Sequence, residues 1–213
     1  MIVILTGAPG AGKGTQADLL SARCGFKKVS TGDALRKHVK LGSPIGKVAA
    51  AVMERGELVS DDVLLQVVSE ELNSIGIEDV VLLDGYPRNL GQAKALDGLG
   101  GLHSIAKVLH LDVDRTELIA RLSGRRVCSG CGATFHVTEN PPSKPGVCDR
   151  CAGDLVQRPD DRPESVAVRL DVYERSTKPI LDFYSSKGLY KSVNGVGSLE
   201  EIYSRLEQHI RAL

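Results

Sequence analysis

The stretch GAPGAGKGT, residues 7–15, decides the fold. It nearly spells the phosphate-binding loop G-x-x-x-x-G-K-[ST]: Gly7, Gly12 and Lys13 fit, but Gly14 stands where that pattern has a hydroxyl, which arrives one residue late as Thr15. Before it, the apolar run IVIL (2–5) reads as a strand buried on both faces. After it, Ala17, Leu19, Leu20 and Cys24 recur at helical spacing, which predicts a helix over 14–24 ended by Gly25. In that context the backbone amides of Gly10, Ala11, Gly12, Lys13, Gly14 and Thr15 wrap phosphates, aided by the helix N-terminus, and Lys13 reaches between the β- and γ-phosphates. The bland alternative is an ordinary glycine-rich turn. A glycine at 14 leaves open where a magnesium ion is held.

Outward from the loop, buried runs recur at 27–29, 80–84, 105–113 and, more weakly, 189–193. Helical patterns alternate with them at 33–41, 44–55, 61–75, 89–97, 114–123 and 199–211. The class expected is α/β: a P-loop three-layer fold whose central parallel sheet is flanked by helices. Two segments interrupt the rhythm. Residues 30–59 are helical with no strand, a small insertion; residues 124–161 are rich in Gly, Pro and Cys, a separate mini-domain. That leaves 1–29, 60–123 and 162–213 as the core. The pattern resumes at DRPE, where Asp161 and Glu164 suit a capping box with Pro163 in the first turn, and Pro179 should kink or end that helix.

The 213 residues carry 27 basic and 27 acidic side chains, so no general attraction to nucleic acid is implied. The opening MIVILTG is too short and lacks the basic start of a secretory signal, and no run reaches a spanning helix. A cytoplasmic protein with no membrane partner is expected.

Several patterns can carry chemistry. In LDGYPR, 83–88, Asp84 ends a strand beside the first, where a carboxylate can hold magnesium directly or through water. Gly85 admits a substrate to the backbone and Arg88 can fork onto phosphate. Arg121, Arg125, Arg126, Arg158 and Arg169 flank the 124–161 segment; phosphoryl transfer needs such cations for positioning and charge stabilisation. Any one of them, Arg126 above all, also reads as a solvated surface residue. Cys128-x2-Cys131 and Cys148-x2-Cys151, sixteen residues apart, form a strong signal for a closed, structural zinc site. Disulfides are the alternative; His136 sits near enough to replace one thiolate, but four cysteines already fill the shell, so it is not expected to be a ligand. The segment's apolar residues, such as Val127, Phe135 and Leu155, are too few for much core, so metal would supply roughly 10–16 kcal/mol. Cys24 reads as a buried small apolar residue.

In combination and in order, GAPGAGKGTQ, STGD (30–33), LDGYPR and GRR (124–126) resemble the adenylate kinase family, across essentially the whole chain. The four cysteines are similar to its zinc-bearing bacterial subset. The resemblance implies magnesium-ATP plus AMP giving two ADP, reversibly, in a cytoplasmic monomer. It implies a core that holds ATP, an AMP-binding insertion at 30–59, and a zinc lid at 124–161 with hinge zones at Gly124 and Asp161. Magnesium would be held by phosphates and waters with Asp84 in the outer shell, leaving Thr15 for a donor phosphate. Arg36 and Arg88 would grip the AMP phosphate, with Arg158 and Arg169 nearby. Thr31, the Glu57–Leu58–Val59 backbone, Gly85, Tyr86, Pro87 and Gln92 would complete the AMP site. Gln92 offers a donor and an acceptor to adenine. Arg121, Arg125, Thr134, Phe135 and the backbone near Gly197, in VNGVGS (193–198), would meet ATP. The family often has Asp at position 194 and a longer side chain at 197. Read without the family, Thr31 is a helix cap before Asp33, Gln92 a solvated residue and Phe135 insertion core. Related uridylate-cytidylate kinases usually differ at the Thr31 and Gln92 positions. The rivals are another nucleoside monophosphate kinase, a GTP-dependent AMP kinase, and a nucleic-acid-binding zinc ribbon with a nucleotide switch.

Overall fold

The structure, a computed structural model, describes residues 1–76, 78–98 and 104–211. A five-stranded parallel sheet runs β2-β3-β1-β4-β8, formed by β1 (Ile2–Gly7), β2 (Lys27–Ser30), β3 (Val81–Asp84), β4 (Ile105–Asp112) and β8 (Tyr190–Asn194). The order reverses between β3 and β4, on either side of β1, and the phosphate loop leaves the end of β1 at that switch point.

Period-two alternation explains why IVIL is continuous. Val3 and Leu5 enter one core with helices α1 (Lys13–Cys24), α6 (Arg115–Gly124), α7 (Pro163–Val172) and α9 (Leu199–Ile210). Ile2 and Ile4 enter the other with α4 (Asp61–Asn73), α5 (Leu90–Gly98) and α8 (Pro179–Ser186). Both faces are covered, so both parities must be apolar. Fully burying such a side chain contributes about 1.5–3 kcal/mol.

The expected helix after the loop is α1, and Gly25 ends it at φ 73. The 30–59 segment folds as α2 (Thr31–Lys40) and α3 (Pro44–Glu54) with no strand between. Thr31 is not the cap of α2: Ser30 is, its Oγ accepting from the Asp33 N–H at 3.4 Å. Residues 125–156 form a separate antiparallel sheet, β6-β5-β7, from β5 (Arg125–Cys128), β6 (Thr134–His136) and β7 (Leu155–Val156).

The capping box at Asp161 does not form. Arg162 is the N-cap of α7 without a side-chain bond, and Asp161 lies in the 3-10 turn Pro159–Asp161. Its carboxylate is drawn to two arginines, which bind it more strongly than a helix amide would. Pro163 does open α7. Pro179 begins α8 after a π-helical turn, Tyr173–Thr177, where the regular ladder breaks.

Candidate active site

The phosphate loop is shaped by close approach to its neighbours. Gly7 has φ +142, and a Cβ there would lie 2.8 Å from the Leu111 carbonyl oxygen. Lys13 folds back over the loop, its Nζ donating to the Gly7 and Ala8 carbonyls at 2.7 and 2.9 Å. Burial pushes its ammonium down to about 8, opposed by Asp84 and reinforced by Arg88 and Arg169. A cation so poorly solvated gains strongly from an arriving anion.

Two cavities open from this point. The larger, about 410 Å³, is lined by Gly10, Gly12, Gly14, Thr15, Asp84, Arg121, Arg125, Thr134, Phe135, Arg158 and Gly197. The smaller, about 120 Å³, is lined by Leu35, Met53, Glu57, Leu58, Val59, Tyr86 and Pro87. Lys13, Arg36, Arg88 and Arg169, with Gly85, belong to both walls. The cavities therefore meet at four cations.

Burial lowers Arg88 to about 10, and Arg169 adds to the shift. Burial likewise lowers Arg158 to about 10, followed by repulsion from Arg36 and Arg125; its Nε is buried with no partner among the described residues. Asp161 holds the cluster together. Its fully buried carboxylate takes Arg125 at both oxygens, 2.5 and 2.8 Å, and Arg169 at 2.9 Å. Arg121 is held by Glu117 at 2.8 Å and the Gly195 carbonyl at 3.0 Å, and Arg36 by Asp33 at 2.5 Å. Arg126 turns away, donating to the Ser123 and Arg125 carbonyls.

Gly14 lies beside Asp84, where a Cβ would come within 3.6 Å of Oδ2. That is ordinary contact, so no clash demands glycine there. Its absence of a side chain leaves space between loop and carboxylate, and Ser30 Oγ donates to the same oxygen at 3.3 Å. A carboxylate facing open space suits a hydrated, hard cation.

Ala11, Thr31 and Gln92 are buried and form neither cavity wall. Thr31 Oγ1 donates to the Gly85 carbonyl at 2.9 Å, tying α2 to the end of β3. Both ends of the Gln92 amide are bonded within the protein.

The four cysteine sulfurs lie within 4.8 Å of one another, with Cys128–Cys151 at 3.4 Å and Cys131–Cys148 at 3.6 Å. Backbone N–H groups of Cys131 and Arg150 point at the Cys128 and Cys148 sulfurs. Four convergent thiols with amide donors fit a tetrahedral, thiolate-loving ion such as zinc. His136 is turned elsewhere: its Nδ1 accepts from the Thr138 and Glu139 N–H groups, its Nε2 lies 3.4 Å from the Ala120 carbonyl oxygen, and the residue lines the large cavity. Phe135 serves both readings, packed with Cys128, Ala133 and Cys148 while lining the cavity.

Asp161, Asp61 and Arg205 carry site geometry that the sequence reading missed. Arg205 donates to the Asn194 and Val196 carbonyls at 3.0 and 2.7 Å, shaping the turn around Gly197. Gly197 has φ +130, a conformation that strains any side chain, and a Cβ there would lie 2.7 Å from Glu201 Oε2, which would have to shift. No local motif marks these roles, and the one that Asp161 belongs to, DRPE, suggests a helix cap instead; each acts on a partner displaced in sequence.

A family model described as "Adenylate kinase" matches residues 5–189. The chain is 44% identical to an adenylate kinase of Geobacillus sp. (strain WCH70), with 100% of each chain covered. It is 46% identical to that of Thermodesulfovibrio yellowstonii over 97% of each, and 45% identical to that of Caldicellulosiruptor bescii over 100% of this chain and 99% of the relative. Matched over nearly its full length by such relatives, with its phosphate loop and clustered arginines in place, the chain belongs to the adenylate kinase family of nucleoside monophosphate kinases.

Proposed function

We propose that this chain transfers a phosphoryl group reversibly between magnesium-ATP and AMP, with the donor in the large cavity and the acceptor in the small one. The observation that carries this is their junction: Lys13, Arg36, Arg88 and Arg169 line both walls. Two nucleotides entering from opposite sides bring their phosphates together there and nowhere else along the two walls.

The loop from Gly10 to Thr15, with Lys13, Arg121 and Arg125, holds the ATP phosphates; Thr134, Phe135 and the Gly197 backbone hold the rest. Arg36 and Arg88 hold the AMP phosphate, Glu57 to Val59 and Gly85 to Pro87 line its nucleoside, and Thr31 and Gln92 support that wall. Arg158 and Arg169 face the phosphoryl group in transit, where preorganised donors contribute about 2.7–4 kcal/mol each to lowering the barrier. Little acid–base chemistry is required. Residues 30–59 act as the acceptor lobe and 124–161 as a lid that excludes water, which would otherwise compete as acceptor.

Magnesium, when bound, neutralises charge shared between donor phosphates; Asp84 is the group placed to hold its waters, and Gly14 leaves them room. Zinc on Cys128, Cys131, Cys148 and Cys151 ties the lid together and takes no part in the reaction. The protein works as a cytoplasmic monomer on ATP, AMP and ADP.

The test is to incubate purified protein with magnesium and ADP alone. ATP and AMP forming in equal amounts is the expected result. Release of inorganic phosphate without ATP would overturn the proposal.

A further inference from the structure

Gln92 sits in α5 with its amide clamped from two sides. Its Oε1 accepts from the Arg88 backbone N–H at 2.7 Å, and its Nε2 donates to Asp61 Oδ1 at 2.7 Å. Asp61 also receives Asn89 Nδ2, at 2.9 Å on Oδ1 and 3.1 Å on Oδ2. Asn89 closes the ring, its Oδ1 accepting the Gln92 N–H at 2.8 Å. The three side chains thus fasten the start of α4 to the start of α5.

The two orientations of a carboxamide have almost the same shape and differ in which end donates. The Arg88 N–H can only donate, and an ionised carboxylate can only accept. Between them a single orientation of Gln92 satisfies both neighbours. A flipped amide would set its NH2 against the Arg88 N–H and its oxygen against the Asp61 carboxylate, replacing both bonds of the buried Gln92 side chain with contacts between like groups. In the fixed orientation each end keeps one further capacity: the second lone pair of Oε1 and the second hydrogen of Nε2.

We propose that Asp61 is a positioning residue for acceptor-base selectivity: it locks Gln92 in the orientation that favours a 6-aminopurine monophosphate over a 6-oxopurine one. This rests on the reading of Gln92 as the residue that meets the acceptor base. A 6-aminopurine presents an N–H at position 6 and a lone pair at N1; a 6-oxopurine presents the reverse. The locked amide complements the first pair. The flipped amide complements the second. Asp61 and Gln92 both lie outside the two cavity linings; Gln92 joins the acceptor wall through its bond to the Arg88 backbone, and Asp61 reaches that wall through Gln92 and Asn89. It is exposed, and apolar burial does not explain its identity.

The experiment compares AMP and IMP as acceptors, at saturating magnesium-ATP, for the wild type, Asp61→Ala, Asp61→Asn and Gln92→Met. Asp61→Ala is expected to raise KM for AMP about tenfold and to narrow the AMP-over-IMP preference in kcat/KM by about tenfold, with kcat and KM for ATP within about twofold of wild type. Asp61→Asn keeps one acceptor oxygen for Nε2 and is expected to recover most of the preference. A merely structural role would weaken AMP and IMP alike, and that result would overturn the proposal. If Gln92→Met abolishes the preference while Asp61→Ala preserves it, Gln92 reads the base and the role of Asp61 is refuted. If Gln92→Met leaves the preference intact, the reading of Gln92 itself fails, and the proposal with it.

Discussion

His110 lies on β4 in register with Thr6 of β1, between the rings of Tyr173 and Tyr190. Its Nδ1 is buried without a partner among the described residues, and desolvation holds the imidazole below its ordinary value of 6.5. The folded protein therefore binds this proton less readily than the unfolded chain does. As pH falls below 6.5 the unfolded state takes up the proton first, so stability falls with pH until the folded-state value is also passed. Chemical denaturation at a series of pH values should show this acid-side loss, and His110→Asn should flatten it. An unchanged slope in the variant would assign the loss to other groups. The phosphate loop was legible residue by residue because its chemistry is local: amides, glycines and Lys13 within nine positions. Asp161 was not. Its partner Arg125 is 36 residues away, and the string DRPE suits a cap equally well until the chain is folded.

At the scale of elements, the insertion at 125–156 has a core of Cys128, Ala133, Phe135 and Cys148 with Leu155 packed against it, while Val137 and Val156 are exposed. So small a cluster cannot hold three short strands alone, and metal is expected to supply what is missing. Chelation, or Cys148→Ser, should lower Tm and open this segment to protease while the far-UV spectrum of the core persists. Loss of all secondary structure would show that the insertion is not semi-independent. Asp161 fastens the insertion to α7 by pairing Arg125 with Arg169. Asp161→Ala should cost about 3–5 kcal/mol, because two arginines lose a buried partner. It should also lower kcat, and a variant with full kcat would show that the arginines keep their positions without it. The strands of the parallel sheet and the helices between them followed from periodicity to within a few residues; the three short strands β5, β6 and β7 did not, since that segment carries no periodic run. The π-helical turn Tyr173–Thr177 did not, since nothing in YERST distinguishes it from an α-helix.

For the whole molecule, alternating strands and helices announced a parallel sheet, and the reversal of strand order around β1 puts the loop where ligands bind. That two cavities share Lys13, Arg36, Arg88 and Arg169 was beyond the reach of pattern, because those residues come from four separate segments. Their shared position is the physical basis of the proposed reaction: each nucleotide contributes negative charge to a cluster in which Lys13, Arg88 and Arg169 are desolvated. The direct measurement is a calorimetric titration of AMP into protein already saturated with magnesium and a non-hydrolysable ATP analogue. One AMP should bind per chain with the analogue retained. Displacement of the analogue by AMP, or no binding at any concentration, would mean that only one nucleotide is held at a time.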